Sequence, residues 1–168
     1  MKRTGDITLC AVLVSVAMAL SYMERFIPLQ LVVPLPGVKL GLANIVGLIA
    51  LYKMGFKQAY MILALRCVLG SVFSGSVTSL FFSFTGGTLS MLAMAQAKRL
   101  PFLSVYGVSV LGAAAHNIGQ IGVAMVMMHS VQIGAYLPYL LCVGIATGLA
   151  TGAAGAGVLR AFSMMKRR

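Results

Sequence analysis

A glycine-rich apolar run, GVKLGLANIVGL at residues 37–48, carries a lysine and an asparagine, Lys39 and Asn44. It follows the proline-rich turn Pro-Leu-Pro at residues 34–36. The rest of the run is apolar enough to lie in lipid, where lysine and asparagine side chains are costly and persist when they face a bundle interior or a water-filled cavity. We therefore interpret this run as one wall of a pocket.

The composition of the chain indicates an integral membrane protein. Of its 168 residues, 60% are hydrophobic and only 9% are charged, which leaves too little polar surface for a soluble domain. Apolar runs continue to the end of the chain, so residues 1–20 do not have the pattern of a cleaved signal peptide. We expect a single transmembrane domain over residues 1–168, multi-pass, in a bacterial inner or plasma membrane.

The apolar runs and the residues that interrupt them predict a bundle of six transmembrane helices. A connection at 26–36 with three prolines is predicted to be irregular or re-entrant, and the Gly- and Ser-rich residues 70–79 are predicted to form a turn. Gly86 and Gly87 suggest a kink or a tight contact. The predicted helices cover residues 7–23, 38–54, 58–72, 80–97, 105–128 and 136–162.

The positive charges predict the orientation of the bundle. The chain has a formal net charge of +11, and most Lys and Arg lie at the ends of apolar runs, where membrane topology explains them and no nucleic-acid partner is needed. A six-helix count assigns nine of them to one face, so both termini are predicted to be cytoplasmic. These nine are Lys2, Arg3, Lys53, Lys57, Lys98, Arg99, Lys166, Arg167 and Arg168.

A few polar residues inside the predicted helices are candidates for ligand binding, and they share one depth zone that opens outward. Arg66 lies about nine residues beyond Lys57, which places it near the middle of the membrane. His116 and Gln120 are four residues apart and project from one helix face. The candidate ligand-binding residues are Lys39, Asn44, Arg66, His116, Asn117 and Gln120.

Arg66 allows two interpretations. It stays charged and is costly in lipid, and the chain contains only two carboxylates, Asp6 and Glu24, of which Glu24 can be expected near Lys39 or Arg25. Arg66 is then either structural, with helix-end carbonyls, Asn117 or Gln120 as acceptors, or it binds an anionic ligand together with Lys39. Taken alone, His116 favours an interhelical hydrogen bond, and one histidine without neighbouring carboxylates or thiols is not a metal site.

Small residues recur at helical spacing on two of the predicted helices. Ala11, Ser15 and Ala19 lie four residues apart on the first helix and predict a face that packs within the bundle or docks a partner. The last helix has Gly144, Gly148 and Gly152 in a GxxxGxxxG row, which can pack within the bundle or between chains.

The residue types exclude several kinds of chemistry, so no enzyme activity, catalytic residue, metal or cofactor is expected. Aspartate clusters that would hold Mg²⁺ are absent, as are a P-loop and a Ser-His-Asp set. Cys10, Cys67 and Cys142 stand singly in apolar segments, without the spacing of a metal site or a disulfide framework.

Three segments carry a resemblance to a known family: SYMERFIP at residues 21–28, GVKLGLAN at 37–44 and HNIGQ at 116–120. Together they resemble the Gx transporter family, also labelled heptaprenyl diphosphate synthase component I, over essentially all six predicted helices. That family is similar to the substrate-binding S components of energy-coupling factor transporters. The resemblance implies a six-helix bundle that binds a vitamin-like or precursor molecule in an outward pocket. It also implies a transmembrane coupling subunit and two cytoplasmic ATPases as partners. The coupling subunit would dock on a small-residue face of the first helix, here Ala11, Ser15 and Ala19, with Ser15 in place of one alanine.

We therefore expect a substrate-binding subunit that takes up a small anionic, vitamin-like or isoprenoid-like molecule. Lys39 and Arg66 are expected to meet its anionic end. Two alternatives stay open: a non-catalytic membrane subunit of isoprenoid or quinone synthesis that presents a prenyl substrate, and a scaffold subunit of a membrane redox complex.

Overall fold

The computed structural model describes residues 2–26 and 39–165. In this part of the chain the structure is entirely helical, with no strand, which confirms the predicted all-α class. Two 3-10 helices, Glu24–Phe26 and Val131–Tyr136, accompany six α-helices. These are α1 Lys2–Met23, α2 Asn44–Lys53, α3 Phe56–Ser74, α4 Val77–Ala97, α5 Val105–Met127 and α6 Leu137–Met165.

Five of the six helices are long and apolar enough to cross a membrane, and α2 is not. Helix α2 has 10 residues, so at about 1.5 Å per residue it covers roughly half of a 30 Å hydrocarbon layer. The described residues thus confirm a multi-pass protein with five candidate spans. The other half of the second predicted span belongs to irregular backbone at residues 39–43, which is tolerated in a membrane where it is buried in protein or lines a cavity.

The second helix begins at Asn44 and not at Val38, so this predicted boundary was wrong. Gly41 has a φ of +81°, a left-handed conformation that interrupts a helix. The backbone N–H of Leu42 donates to the carboxylate of Glu24, at the end of α1. A negative charge at this position also favours the positive end of the α2 dipole. The predicted proline-rich connection at 26–36 lies outside the described residues, apart from Phe26.

The predicted turn at residues 70–79 is much shorter than the composition suggested. Helix α3 continues to Ser74, and only Gly75 and Ser76 separate it from α4. Gly75 ends α3 in the left-handed conformation, with a φ of +61°. The Ser76 side chain then accepts a hydrogen bond from the backbone N–H of Ser79, an N-cap that starts α4 at Val77. Because Gly75 caps the end of α3 and Ser76 caps the start of α4, two residues are enough to connect the helices.

Helix α5 packs closely against α4 on one side and α6 on the other, through glycines. A Cβ added at Gly119 would lie 2.9 Å from the Cα of Gly86, so the backbones of α4 and α5 are in contact there. Helix α4 continues through Gly86 and Gly87, so these glycines form a tight contact and do not interrupt the helix. The row Gly144, Gly148 and Gly152 faces α5, where a Cβ at Gly148 would lie 2.7 Å from the Cα of Val110. The GxxxGxxxG row therefore packs within the bundle, the first of the two packing modes that its sequence allowed.

Lys53 and Lys98, at the carboxyl ends of α2 and α4, contact neighbouring helices at one end of the bundle. Lys98 Nζ donates to the backbone carbonyl of Leu51, 2.8 Å away, and lies over the Tyr52 ring. Lys53 Nζ lies 4.3 Å from the centre of the Phe162 ring. The ends of α2, α4 and α6 are thus adjacent, as the charge pattern requires. The cytoplasmic location of this end and of both termini stays a prediction.

Candidate functional site

A cavity of about 430 Å³ lies at the opposite end of the bundle, between the end of α1, the segment 39–43, the second half of α3 and the start of α4. It is lined by all three charged side chains that the structure describes in this region, Glu24, Lys39 and Arg66. The remaining lining residues are Met18, Ala19, Ser21, Tyr22, Gly41, Cys67, Gly70, Ser71, Phe73, Ser79, Ser83 and His116.

Lys39 is held at the cavity wall from two directions. Its backbone N–H donates to Oε1 of Gln120, at 3.3 Å. Its Nζ donates to the hydroxyl oxygens of Ser79 and Ser83, at 2.9 and 3.0 Å. The two serines are four residues apart and therefore share one face of α4. This arrangement positions the ammonium group beside the cavity.

Arg66 lies in the middle of α3 and is buried, with 9% of its surface exposed. Its Nη2 donates to Oδ1 of Asn44, at 3.1 Å. This acceptor differs from those of the structural interpretation, which were helix-end carbonyls, Asn117 or Gln120. A guanidinium has five N–H donors and Asn44 takes one of them, so Arg66 retains donors for an anion in the cavity that it lines.

Glu24 is the acidic residue of the cavity and lies just beyond the apolar span of α1. Its carboxylate accepts the backbone N–H of Leu42, and it shares the cavity with Lys39, near which it was expected. Burial raises the pKa of Glu24 above its usual value, and this effect is opposed by the Leu42 hydrogen bond and by the positive charges of Arg66 and Lys39. The carboxyl group therefore offsets at most one of the two positive charges.

His116 also lines the cavity, and it is 3% exposed. Its ring lies between two glycines: a Cβ added at Gly86 would be 2.9 Å from Nδ1, and one at Gly41 would be 3.3 Å from Nε2. Nε2 has no hydrogen-bond partner among the described residues, and Nδ1 lies against the backbone of Gly86 on α4. The backbone of Gly86 is thus in place for the interhelical hydrogen bond expected for His116, and that hydrogen bond stays a prediction. An unsatisfied buried polar group costs about 1–3 kcal/mol.

The other candidate ligand-binding residues lie behind the cavity wall. Gln120 is fully buried and contacts Lys39, and Asn44 contacts Arg66, so both support residues that line the cavity. Asn117 points away from it, because its Nδ2 donates to the backbone carbonyl of Leu140 on α6, at 2.6 Å. The structure thus brings Lys39, Arg66 and His116 together at the cavity. Their contact with a ligand stays a prediction.

The sequence analysis missed the hydroxyl groups of the cavity, most clearly Ser79 and Ser83. Two serines four residues apart in an otherwise apolar segment are a recognisable signal. We had assigned Ser79 to a turn, and the serine pair becomes visible only when α4 is known to begin at Val77.

The three small residues of α1 are exposed on the outside of the bundle. Helix α1 buries Leu13, Val14 and Ala17, whereas Ala11, Ser15 and Ala19 are exposed. The hydroxyl of Ser15 donates to the Ala11 carbonyl within the helix, so the face is not strongly polar. Ala19 also reaches the edge of the cavity. Packing within the described bundle leaves this face uncovered, and its role as a docking surface stays a prediction.

The family profile described as heptaprenyl diphosphate synthase component I matches residues 13–158. The chain belongs to this family. The matched region of this family member contains every residue that lines the cavity. A search of curated proteins and a search of solved structures gave no match.

Proposed function

We propose that this chain is the substrate-binding subunit, or S component, of an energy-coupling factor type uptake system in the cell membrane, and that its cavity binds a small anionic molecule. The observation that carries the proposal is the placement of Lys39 and Arg66 in the wall of one cavity, with Glu24 as the acidic group opposing them. Arg66 is buried and Lys39 is partly buried, and Glu24 offsets at most one of their two positive charges, so an anionic ligand would supply a further negative charge where cations are costly.

The hydrogen bonds of Lys39 support an anion rather than a neutral ligand. Ser79 and Ser83 accept from the ammonium group, so their own hydroxyl protons are directed elsewhere. Both hydroxyls can therefore donate to an anion beside Lys39, together with the guanidinium of Arg66. Such charge-assisted hydrogen bonds are roughly twice as strong as neutral ones.

The rest of the cavity favours a compact ligand with an apolar part. Met18, Tyr22 and Phe73 provide apolar and aromatic surface beside the charged groups. A volume of about 430 Å³ is within the range of small-molecule pockets. A vitamin-like molecule fits this description. A long prenyl chain would have to extend from the cavity into the lipid.

Uptake requires partners, because the chain has no P-loop to hydrolyse ATP. In the proposed system a transmembrane coupling subunit and two cytoplasmic ATPases provide the energy. The exposed face formed by Ala11, Ser15 and Ala19 is where the coupling subunit docks, since small side chains let another helix approach closely.

The description of the family favours a second candidate function, a non-catalytic membrane component that presents a prenyl diphosphate to a separate synthase. Lys39 and Arg66 would then hold the diphosphate. The chain has only two carboxylates and cannot form the aspartate clusters that bind catalytic Mg²⁺. The two functions differ in a measurable way, because only the first requires ATP-dependent accumulation of the ligand in vesicles that contain the coupling proteins.

The charge of the cavity is tested at Cys67, which lines it and is 4% exposed. With Cys10 and Cys142 replaced by alanine, Cys67 is the remaining thiol. We expect the anionic reagent 2-sulfonatoethyl methanethiosulfonate to modify Cys67 about tenfold faster than its trimethylammonium analogue, after correction for their rates with a small thiol. Rates are measured by intact-protein mass spectrometry.

Lys39→Met and Arg66→Met should each reduce this preference, and Lys57→Met is the matched control, since Lys57 is an exposed residue at the start of α3. Equal rates for the two reagents in the parent protein, or the same preference in all four proteins, would refute an anion-binding cavity.

A further inference from the structure

His116 is a polar residue of the cavity wall that takes no part in the proposed anion site. Its ring is enclosed by Gly41 and Gly86: Nδ1 lies against the backbone of Gly86, and Nε2 lacks a partner among residues 2–26 and 39–165. Packing alone would be served as well by an apolar side chain of similar size. A buried imidazole at a cavity wall is instead suited to recognition, because its neutral form offers one donor and one acceptor.

We propose that His116 forms a second subsite, which binds an uncharged hydrogen-bonding group of the ligand. The substrate class is then an anion with a separate neutral heteroatom, such as a ring nitrogen, an amide or a hydroxyl group, and not an anionic hydrocarbon. This inference rests on the proposed function, since Lys39 and Arg66 provide the subsite for the anionic end.

The position of the ring determines which nitrogen meets the ligand. Nδ1 lies against the backbone of Gly86, inside the contact between α4 and α5. The Cδ2–Nε2 edge faces Gly41, which itself lines the cavity. Nε2 is therefore the atom on the cavity side. Gly41 has no side chain to cover it, and because Nε2 is buried, contact with a ligand would require the segment 39–43 to move.

The subsite gives selectivity mainly by penalising the wrong ligand. A hydrocarbon against His116 leaves the ring nitrogen without a partner, whereas a ligand heteroatom satisfies it. Sites that contain an unpaired buried polar group reject analogues that cannot hydrogen-bond to it. A prenyl or fatty anion would thus be disfavoured at this wall even though its charged end suits Lys39 and Arg66.

The test uses four anions of nearly equal size and shape: benzoate and the three pyridine carboxylates, with nitrogen at ring position 2, 3 or 4. Each is titrated for protection of Cys67 against the neutral reagent methyl methanethiosulfonate, in the protein without Cys10 and Cys142. Benzoate is the more apolar compound and would bind better if only burial mattered. We expect at least one pyridine carboxylate to give half-protection at about one-fifth of the benzoate concentration or less.

In His116→Leu we expect this difference to disappear while benzoate still protects. The comparison within the parent protein stands by itself should that variant fail to fold. Protection by benzoate that equals or exceeds that of all three pyridine carboxylates would overturn the second subsite and leave the anion site intact. If none of the four anions protects Cys67, the proposed function fails, and the inference with it.

Discussion

At the scale of single residues, the cavity combines two cations with one carboxyl group whose charge depends on pH. Burial raises the pKa of Glu24, so on acidification it gains its proton at a higher pH than an ordinary glutamate does. As pH falls through this pKa, the formal charge of Glu24, Lys39 and Arg66 changes from +1 to +2. The preference of Cys67 for the anionic reagent should therefore rise as pH falls, by about threefold or more.

Glu24→Gln is the matched variant for this pH dependence, because its amide oxygen can still accept the Leu42 N–H. We expect its anionic preference to be high and independent of pH over the same range. Both reagents react with the same Cys67 thiol, so the ratio of their rates does not depend on the protonation of that thiol. A ratio that rises with acid equally in Glu24→Gln would assign the effect to another group.

The hydrogen bond between Asn44 and Arg66 should contribute measurably to stability. Asn44→Ala removes the acceptor and leaves the buried guanidinium with less solvation, which we expect to cost about 1–2 kcal/mol and to lower Tm by roughly 2–8 °C. Thermal unfolding in detergent provides the measurement. In an Arg66→Met background the same substitution should have little effect. An equal loss in both backgrounds would show that Asn44 acts independently of Arg66.

Sequence reasoning found the costly residues but not their partners. Lys39, Arg66 and His116 stand out because charge and polarity are rare in an apolar chain. The serines that hold Lys39 do not, because the pair is recognisable only when α4 is known to begin at Val77. Helical spacing places Gln120, but not Asn117, on the face of His116, yet it does not reveal that Asn117 contacts α6 and Gln120 contacts Lys39. Such differences of direction depend on packing that no local pattern contains.

At the scale of helices, glycine rows determine how closely α5 approaches its neighbours. In Gly148→Ala the new Cβ would lie 2.7 Å from the Cα of Val110, and backbone cannot move aside as a flexible side chain can. We expect a loss of about 1–3 kcal/mol in stability, seen as a lower Tm.

Gly157→Ala is the matched control on the same helix, since nothing lies within 4 Å of its added Cβ. It should leave Tm unchanged or raise it slightly, because alanine favours a helix by up to about 1 kcal/mol relative to glycine. Similar losses in both variants would contradict the packing of this row against α5.

The helix boundaries that sequence reasoning missed are set by backbone conformation and by contacts distant in sequence. Residues 37–48 have the composition of a helix, yet Gly41 and the Glu24 carboxylate end the irregular segment and start α2 at Asn44. The Glu24 contact joins residues 18 positions apart, so no local window could contain it. The long spans α4 and α5 were predicted well at their carboxyl ends because Lys98, Arg99 and the polar residues after Met128 mark them in the sequence.

At the scale of the whole molecule, the exposed small-residue face of α1 is the predicted contact with the coupling subunit. Ala11 is exposed, so Ala11→Leu should leave Tm unchanged while it prevents close approach of a partner helix. Co-purification with the coupling subunit checks this. Val12→Leu is the control, because Val12 is also exposed and already large. If Ala11→Leu co-purifies as well as the parent protein, the partner docks elsewhere.

The central claim is that Lys39 and Arg66 hold a small anion in the cavity. Native mass spectrometry of the protein purified in a mild detergent tests it most directly, with Lys39→Met, Arg66→Met and the control Lys57→Met measured beside the parent. The account predicts a discrete bound small anion in the parent protein and in Lys57→Met, absent or strongly reduced in the two cavity variants although they remain folded. The same bound species in all four proteins, or only ordinary phospholipids in each, would contradict it.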